Sequence, residues 1–297
     1  MGSVDDKEVV TELLPYLIVY KNGSVDRLLQ SPIVPHSLED PETGVSSKDI
    51  AISQSPPISA RIYLPKSIQP HQKLSILVYY HGGGFSFDSP FSFSETNYMN
   101  RLVSHGRVLA VSIDYRLAPE HPLPIAYEDG WAALRWVASH SAGTKTEPWI
   151  SNHGNFDRVF IGGDSAGANL AHNILMRAGS EELPGGVKIL GGFLTHPYFW
   201  GSKPIGEENG NEHEKKLPYR LWEFLYPTAS GGMDSPLINP IGPGAPSLAG
   251  LGCRRLLVSV AGRDLMKYRG IGYYKGVKKV DGKEKLSWYG EDEDHAF

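Results

Sequence analysis

The chain has 297 residues, 40% of them hydrophobic, with a formal net charge of −4. That much apolar material supports a buried core and excludes a disordered chain. The nearly balanced charge supplies no field to draw in nucleic acid or an anionic membrane, so neither is an expected partner. A lone cysteine, Cys253, cannot close an internal disulfide and reads as a structural thiol at the start of a strand. Such a length suits one α/β domain, taken here as residues 1–297.

The opening MGSVDDKEVV is acidic and lacks an apolar run, so it does not read as a secretory signal. Gly2 begins a myristoylation-like pattern that Asp6 breaks, because that position needs Ser or Thr. No stretch approaches the roughly 20 apolar residues of a membrane-spanning helix. The expected location is the cytoplasm. Residues 17–20 and 24–29 flank Asn22-Gly23 and read as a hairpin. Asn22-Gly23-Ser24 also has the form of a glycosylation acceptor, but the turn accounts for it more simply. Residues 30–44 are rich in Pro, Ser and Asp and read as loop, and 59–64 alternate as a strand.

The pattern then changes. Residues 74–80 (LSILVYY) form a continuous apolar run, as do 108–115, 159–161, 189–194 and 256–260. Runs of this kind are strands buried on both faces. Helical stretches lie between and after them at 126–139, 166–177 and 268–280. The alternation predicts an α/β fold with a mostly parallel sheet, helices on both faces and right-handed crossovers. Ligands in such sheets bind beyond the C-terminal strand ends. Residues 199–247 break the rhythm with many Gly and Pro and a short aromatic helix at 219–226. They read as a cap over the strand ends, joined by the N-terminal hairpin region.

The chemistry-bearing motifs fall where that rule puts them. Gly163-Asp164-Ser165-Ala166-Gly167 fits G-x-S-x-G between a strand and a helix, the setting of a nucleophile elbow that lifts Ser165 clear of the sheet. His81-Gly82-Gly83-Gly84-Phe85 directly follows the run at 74–80. Acyl transfer creates an oxyanion that needs fixed N–H donors, and the expected donors are Gly82, Gly83 and Ala166. His81 is expected to orient the loop. A serine nucleophile needs a base, and the base an orienting carboxylate, in the chain order Ser, acid, His. Asp264 follows the strand at 256–260, with Asp281 a poorer choice in a charged turn. His295 follows a short strand at 285–289 and an acidic run, and is the expected base. His196 and His213 precede Asp264 and break the order, and His172 reads as packing. Phe85, Phe87, Phe91, Trp200 and Trp222 are candidates for an apolar substrate pocket. There is no metal-ligand spacing and no phosphate-binding glycine loop, so no metal or cofactor is expected.

HGGGF, DYRLAPEHPLPIAYEDGWAAL, GGDSAGANLAHN and AGRD…EDHAF together resemble the plant carboxylesterase branch of the hormone-sensitive-lipase-like α/β-hydrolases. The resemblance covers nearly the whole chain. LPYLIVYKNGSVDRLL and HPYFWGSKPIG look especially like the 2-hydroxyisoflavanone dehydratase group. It implies an α/β-hydrolase fold and hydrolysis of short acyl esters through Ser165, Asp264 and His295, with Gly82, Gly83 and Ala166 at the oxyanion. A small-molecule ester is the implied partner, and the chain the implied monomer or weak homo-oligomer. Some dehydratases of that group carry Thr where this chain has Ser165, which favours hydrolysis here without removing elimination as an alternative. The gibberellin receptors of the family lose the histidine, whereas His295 is present, so a receptor is the remote alternative. Members usually continue into a helix after the histidine, and this chain stops at Phe297.

Overall fold

The apolar runs assemble at the centre of one sheet. The computed structural model describes residues 8–69, 71–144, 147–206, 208, 212–280, 284–290, 294 and 295. The readings placed on Gly2, Asp6, Asp281, the acidic run at 291–293, Phe297 and the side chain of His213 lie outside the described residues.

Three short strands come first: β1 (Val9–Leu13), β2 (Leu17–Tyr20) and β3 (Val25–Arg27). They pair antiparallel as a small sheet of their own. A hairpin of β4 (Ser46–Gln54) and β5 (Pro57–Leu64) follows. Strand and helix then alternate: β6 (Leu74–Tyr80), α1 (Phe93–Gly106), β7 (Leu109–Asp114), α2 (Ile125–Ser139), α3 (Pro148–His153), β8 (Gly154–Asp164) and α4 (Ala166–Ala178). The chain ends with β9 (Ile189–Thr195), α5 (Glu212–Leu225), β10 (Cys253–Ala261), α6 (Lys267–Lys278) and β11 (Glu284–Gly290).

The large sheet has 8 strands in the order β11-β10-β9-β8-β6-β7-β5-β4, and only β5 runs against the rest. From β6 the chain moves one way to β7, then returns to the other side of β6 to lay down β8. That reversal is a topological switch point, where loops diverge and leave a crevice at the C-terminal strand ends. Tyr80 pairs with Gly163 across β6 and β8, so the loops after both strands emerge side by side.

Alternation along β6 explains the layering. Ile76, Val78 and Tyr80 join the core with Trp131 and Leu134 of α2 and Leu170 and Ile174 of α4. Leu77 and Tyr79 point to the other face, against Met99 and Val103 of α1. Both faces of the central strands are therefore apolar, as continuous runs require.

The N-terminal sheet and α5 share this core through Leu13 and Leu17 and through Leu221, Trp222 and Leu225, and polar contacts tie them down further. Arg220 of α5 donates to the Glu12 carbonyl of β1 (2.7 Å). Arg27 of β3 donates to the Ser86 carbonyl (2.6 Å) and pairs with Glu120 (2.6 Å). The helix expected at 219–226 is longer, beginning at Glu212 and holding Pro218 inside it. Its charged first half hid it, since the apolar residues Leu221, Trp222 and Leu225 all fall in the second half. β1 and β4 were not expected at all. Their partners are other strands, and their own residues are mostly exposed or half-buried.

Candidate active site

Ser165 sits in the turn between β8 and α4 with φ 49° and ψ −113°, a conformation that non-glycine residues rarely adopt. Three backbone bonds over-determine it. Its N–H donates to Thr195 (2.8 Å), and its carbonyl accepts from Tyr198 (2.9 Å) and Asn169 (3.1 Å). The motif glycines have a steric reason. A Cβ on Gly167 would lie 1.9 Å from the Tyr80 carbonyl oxygen, so α4 approaches the end of β6 only without a side chain there.

The loop after β6 is equally constrained. Gly83 has φ 84°, and a Cβ on it would lie 2.1 Å from the Phe87 carbonyl oxygen. Its own carbonyl accepts from Ser86 (2.9 Å) and Phe87 (3.0 Å), curling the loop back on itself. The N–H groups of Gly82, Gly83 and Ala166 form no hydrogen bond to another described residue. They are donors left over by a turn and by a helix N-terminus, the kind of groups that stabilise an anion. His81 is fully buried and stacks on Tyr115 (centroids 4.4 Å apart). Its Nδ1 lies 2.9 Å from the Gly82 carbonyl. A carbonyl only accepts, so Nδ1 carries the proton. The Tyr115 hydroxyl donates to the His81 carbonyl (2.7 Å), holding the loop from below.

Asp264 and His295 arrive from β10 and from beyond β11. Asp264 is buried; one carboxylate oxygen accepts from the Met266 N–H (2.8 Å) and the other lies 2.8 Å from His295 Nδ1. Asp264 is thus both a turn-capping residue and the partner of an imidazole. The carboxylate accepts from Nδ1–H, which leaves Nε2 as an acceptor, and Nε2 lies 2.8 Å from Ser165 Oγ. Ser165, His295 and Asp264, 31 to 130 residues apart in sequence, form one hydrogen-bonded chain.

Two neighbours of this chain were set aside or overlooked in the sequence. The His196 ring stands edge-on to His295 with centroids 5.7 Å apart. Burial, aided by the charge of His295, pushes His196 down to about 4, so it stays neutral at pH 7. Asp164, the variable residue before Ser165, accepts from the Tyr79 hydroxyl (2.8 Å) beneath Gly82. Burial raises its carboxyl above the usual range, which reduces negative charge under the loop amides. The motif names its position but not its burial. His172 is buried against Tyr273, with Nδ1 2.9 Å from the hydroxyl, and burial lowers it to about 3.

The aromatic candidates separate. Phe85 has no exposed surface and packs against Tyr115 and Tyr127, and Trp222 is 1% exposed with its indole N–H on the Gly232 carbonyl. Neither presents surface to a water-sized space, which corrects their reading as pocket lining. Phe85 turns inward because its backbone has φ 56°. Trp222 lies on the core-facing side of α5. Trp200 lines a separate hollow of about 430 Å³ with Glu208 and Tyr219. Phe91 lies under the Arg61 guanidinium, 5.2 Å from its centroid. Phe87 is half-buried, belongs to the loop carrying Gly83, and stacks on Tyr16 (centroids 5.4 Å apart).

Among the described residues, no helix is long and apolar enough to cross a membrane. Residues 77–297 match the family model described as the alpha/beta hydrolase fold. A 2-hydroxyisoflavanone dehydratase from Glycyrrhiza echinata is 56% identical, the match covering 100% of this chain and 92% of its own. An Arabidopsis thaliana protein named probable carboxylesterase 2 is 44% identical over 98% of this chain and 90% of its own. Among solved structures, a thermostable carboxylesterase cloned from a metagenomic library superposes with a TM-score of 0.69 at 27% identity, covering 91% of this chain and 83% of that one.

Proposed function

This chain belongs to the alpha/beta hydrolase fold family, and from that membership we propose that it is a carboxylic-ester hydrolase working through Ser165, His295 and Asp264. The observation that carries the reading is the unbroken chain from Asp264 through His295 to Ser165, at 2.8 Å in each step. Ser165 Oγ attacks the ester carbonyl as His295 Nε2 takes its proton. The N–H groups of Gly82, Gly83 and Ala166 receive the oxyanion. Asp264 holds the imidazole tautomer and stabilises the imidazolium. His295 returns the proton to the departing alcohol, and a water activated in the same way clears the acyl-enzyme.

Purified protein with p-nitrophenyl acetate and butyrate, beside Ser165→Ala, tests this. Nitrophenol release that vanishes in the variant is the expected result. No release from folded wild-type protein overturns the esterase reading.

A second reading rests on the 56% identity with a 2-hydroxyisoflavanone dehydratase. In that reaction His295 removes the proton α to the substrate carbonyl, and the loop amides hold the enolate. As the enolate re-forms the carbonyl and the C=C bond, the β-hydroxyl takes the proton back from His295 and leaves as water. Ser165 then forms no bond to carbon. Water loss from a 2-hydroxyisoflavanone that persists in Ser165→Ala would favour this reading over the first.

A further inference from the structure

Tyr16 lies in the turn between β1 and β2, outside the stretch that the family model matches. Its backbone is tied on both sides: its N–H donates to Leu13 (2.7 Å) and its carbonyl accepts from Leu28 (2.8 Å). Its ring lies nearly parallel to Phe87, 15° between planes. Phe87 is itself bonded back to Gly83, and a Cβ on Gly84 would lie 3.7 Å from its ring. The phenol is therefore one ring's thickness from a ring that touches the loop of free amides.

The ring stacked on Phe87 places the phenol beside the loop that carries Gly83. The phenol is near enough to Asp264 for that carboxylate's charge to act on it. Burial, then the nearby Asp264, raises the phenol above its usual range, so it is a neutral O–H at any pH near 7. It has no hydrogen-bond partner among the described residues. A hydroxyl uncommitted within the protein is a donor that a ligand oxygen can take over from water. The opposite end of the pair is apolar: two stacked rings form a flat slab with one donor at its rim.

We propose that Tyr16 is a specificity-determining residue that hydrogen-bonds an oxygen of an aromatic, oxygenated substrate seated against the Tyr16–Phe87 slab. The inference rests on the reading of the Ser165 crevice as the place where substrate binds. It does not depend on whether hydrolysis or elimination follows. The large sheet supplies the reacting groups, and the N-terminal sheet supplies the donor that selects the substrate.

The test compares Tyr16 with Tyr16→Phe, both in a Ser165→Ala background so that no turnover intervenes. Tryptophan fluorescence follows titration with 4′,5,7-trihydroxyflavanone and with flavan, which shares its ring skeleton but lacks its hydroxyls and carbonyl. Loss of one neutral hydrogen bond is expected to weaken the trihydroxyflavanone about five- to tenfold and flavan less than twofold. Equal weakening of both ligands would show that Tyr16 only holds the N-terminal sheet. An unchanged affinity for the trihydroxyflavanone, or no binding of it by the Tyr16 protein, would also overturn the proposal. Failure of the esterase reading shows separately, as absent nitrophenol release by the wild-type enzyme.

Discussion

The turn at Ser165 and the small N-terminal sheet are held by different kinds of contact. Ser165, Gly83 and Gly167 are fixed by backbone against backbone: three hydrogen bonds at Ser165, and contacts at both glycines that leave no room for a Cβ. The N-terminal sheet is fixed by side chains: Leu13 and Leu17 buried in the core, Arg27 on the Ser86 carbonyl and Glu120, Arg220 on the Glu12 carbonyl, and Tyr16 on Phe87. Backbone-locked geometry pre-organises a reaction, because it leaves little to rearrange as charge develops. Contacts made by side chains are easier to change one at a time. The difference suggests that chemistry and substrate choice reside in separately adjustable parts of the molecule.

Substitutions at the two regions sharpen the contrast. Ser165→Ala is expected to cut turnover of p-nitrophenyl esters by at least about 10⁴-fold with the melting temperature little changed. Asp264→Asn leaves the packing but offers His295 the wrong tautomer, and a loss of about 10³- to 10⁴-fold in kcat is expected. Gly167→Ala forces a Cβ into the Tyr80 carbonyl 1.9 Å away. A stability loss of about 3 kcal/mol or more is expected, read from urea unfolding. Arg27→Met keeps the aliphatic stem but drops the bonds to Ser86, Ala118 and Glu120. Because Glu120 is about half exposed, the expected stability cost is only about 1 kcal/mol, with KM rising several-fold and kcat changing less. A fall in kcat as large as that of Asp264→Asn would break the comparison.

The smallest expected effect concerns pH. Burial lowers His172 to about 3, below the unfolded value near 6.5. The unfolded chain therefore binds the extra proton first as pH falls. Stability from the neutral ring is fully present above about pH 6.5 and is lost toward the folded value, at roughly 1.4 kcal/mol per pH unit. The raised carboxyls of Asp164, Asp114 and Glu95 act in the opposite sense, so the comparison must isolate one group. The stability gap between wild type and His172→Gln is expected to narrow by about 1 kcal/mol between pH 7 and pH 5.5. An unchanged gap in urea unfolding would place the folded-state value much nearer the ordinary one.

Residues 74–80 were legible as a strand to the residue, and β8 to β10 were legible apart from their ends, because strands inside a large sheet leave long apolar runs; β11 was read as a shorter strand at 285–289. The α/β alternation followed from that rhythm, and the hydrolase-type fold from the motifs at 81–85 and 163–167 with the family resemblance they carry. β1, β4 and the first half of α5 were not legible. Their residues are polar or exposed, and what stabilises them comes from elsewhere in the chain.

Motif spacing and chain order pointed to Ser165, Asp264, His295 and the glycines of the loop after β6, since a sharp turn and free amides require particular residues at neighbouring positions. Only the tertiary structure decided that Asp264 and His295 meet Ser165 at hydrogen-bond distance, that His196 lies beside His295, and that Phe85 and Trp222 turn into the core. It alone also brought Tyr16 from the N-terminal sheet onto Phe87. Short-range rules cover turns and strands because they depend on adjacent residues. Contacts between residues far apart in the chain depend on the order in which strands enter the sheet, and no local pattern records that order.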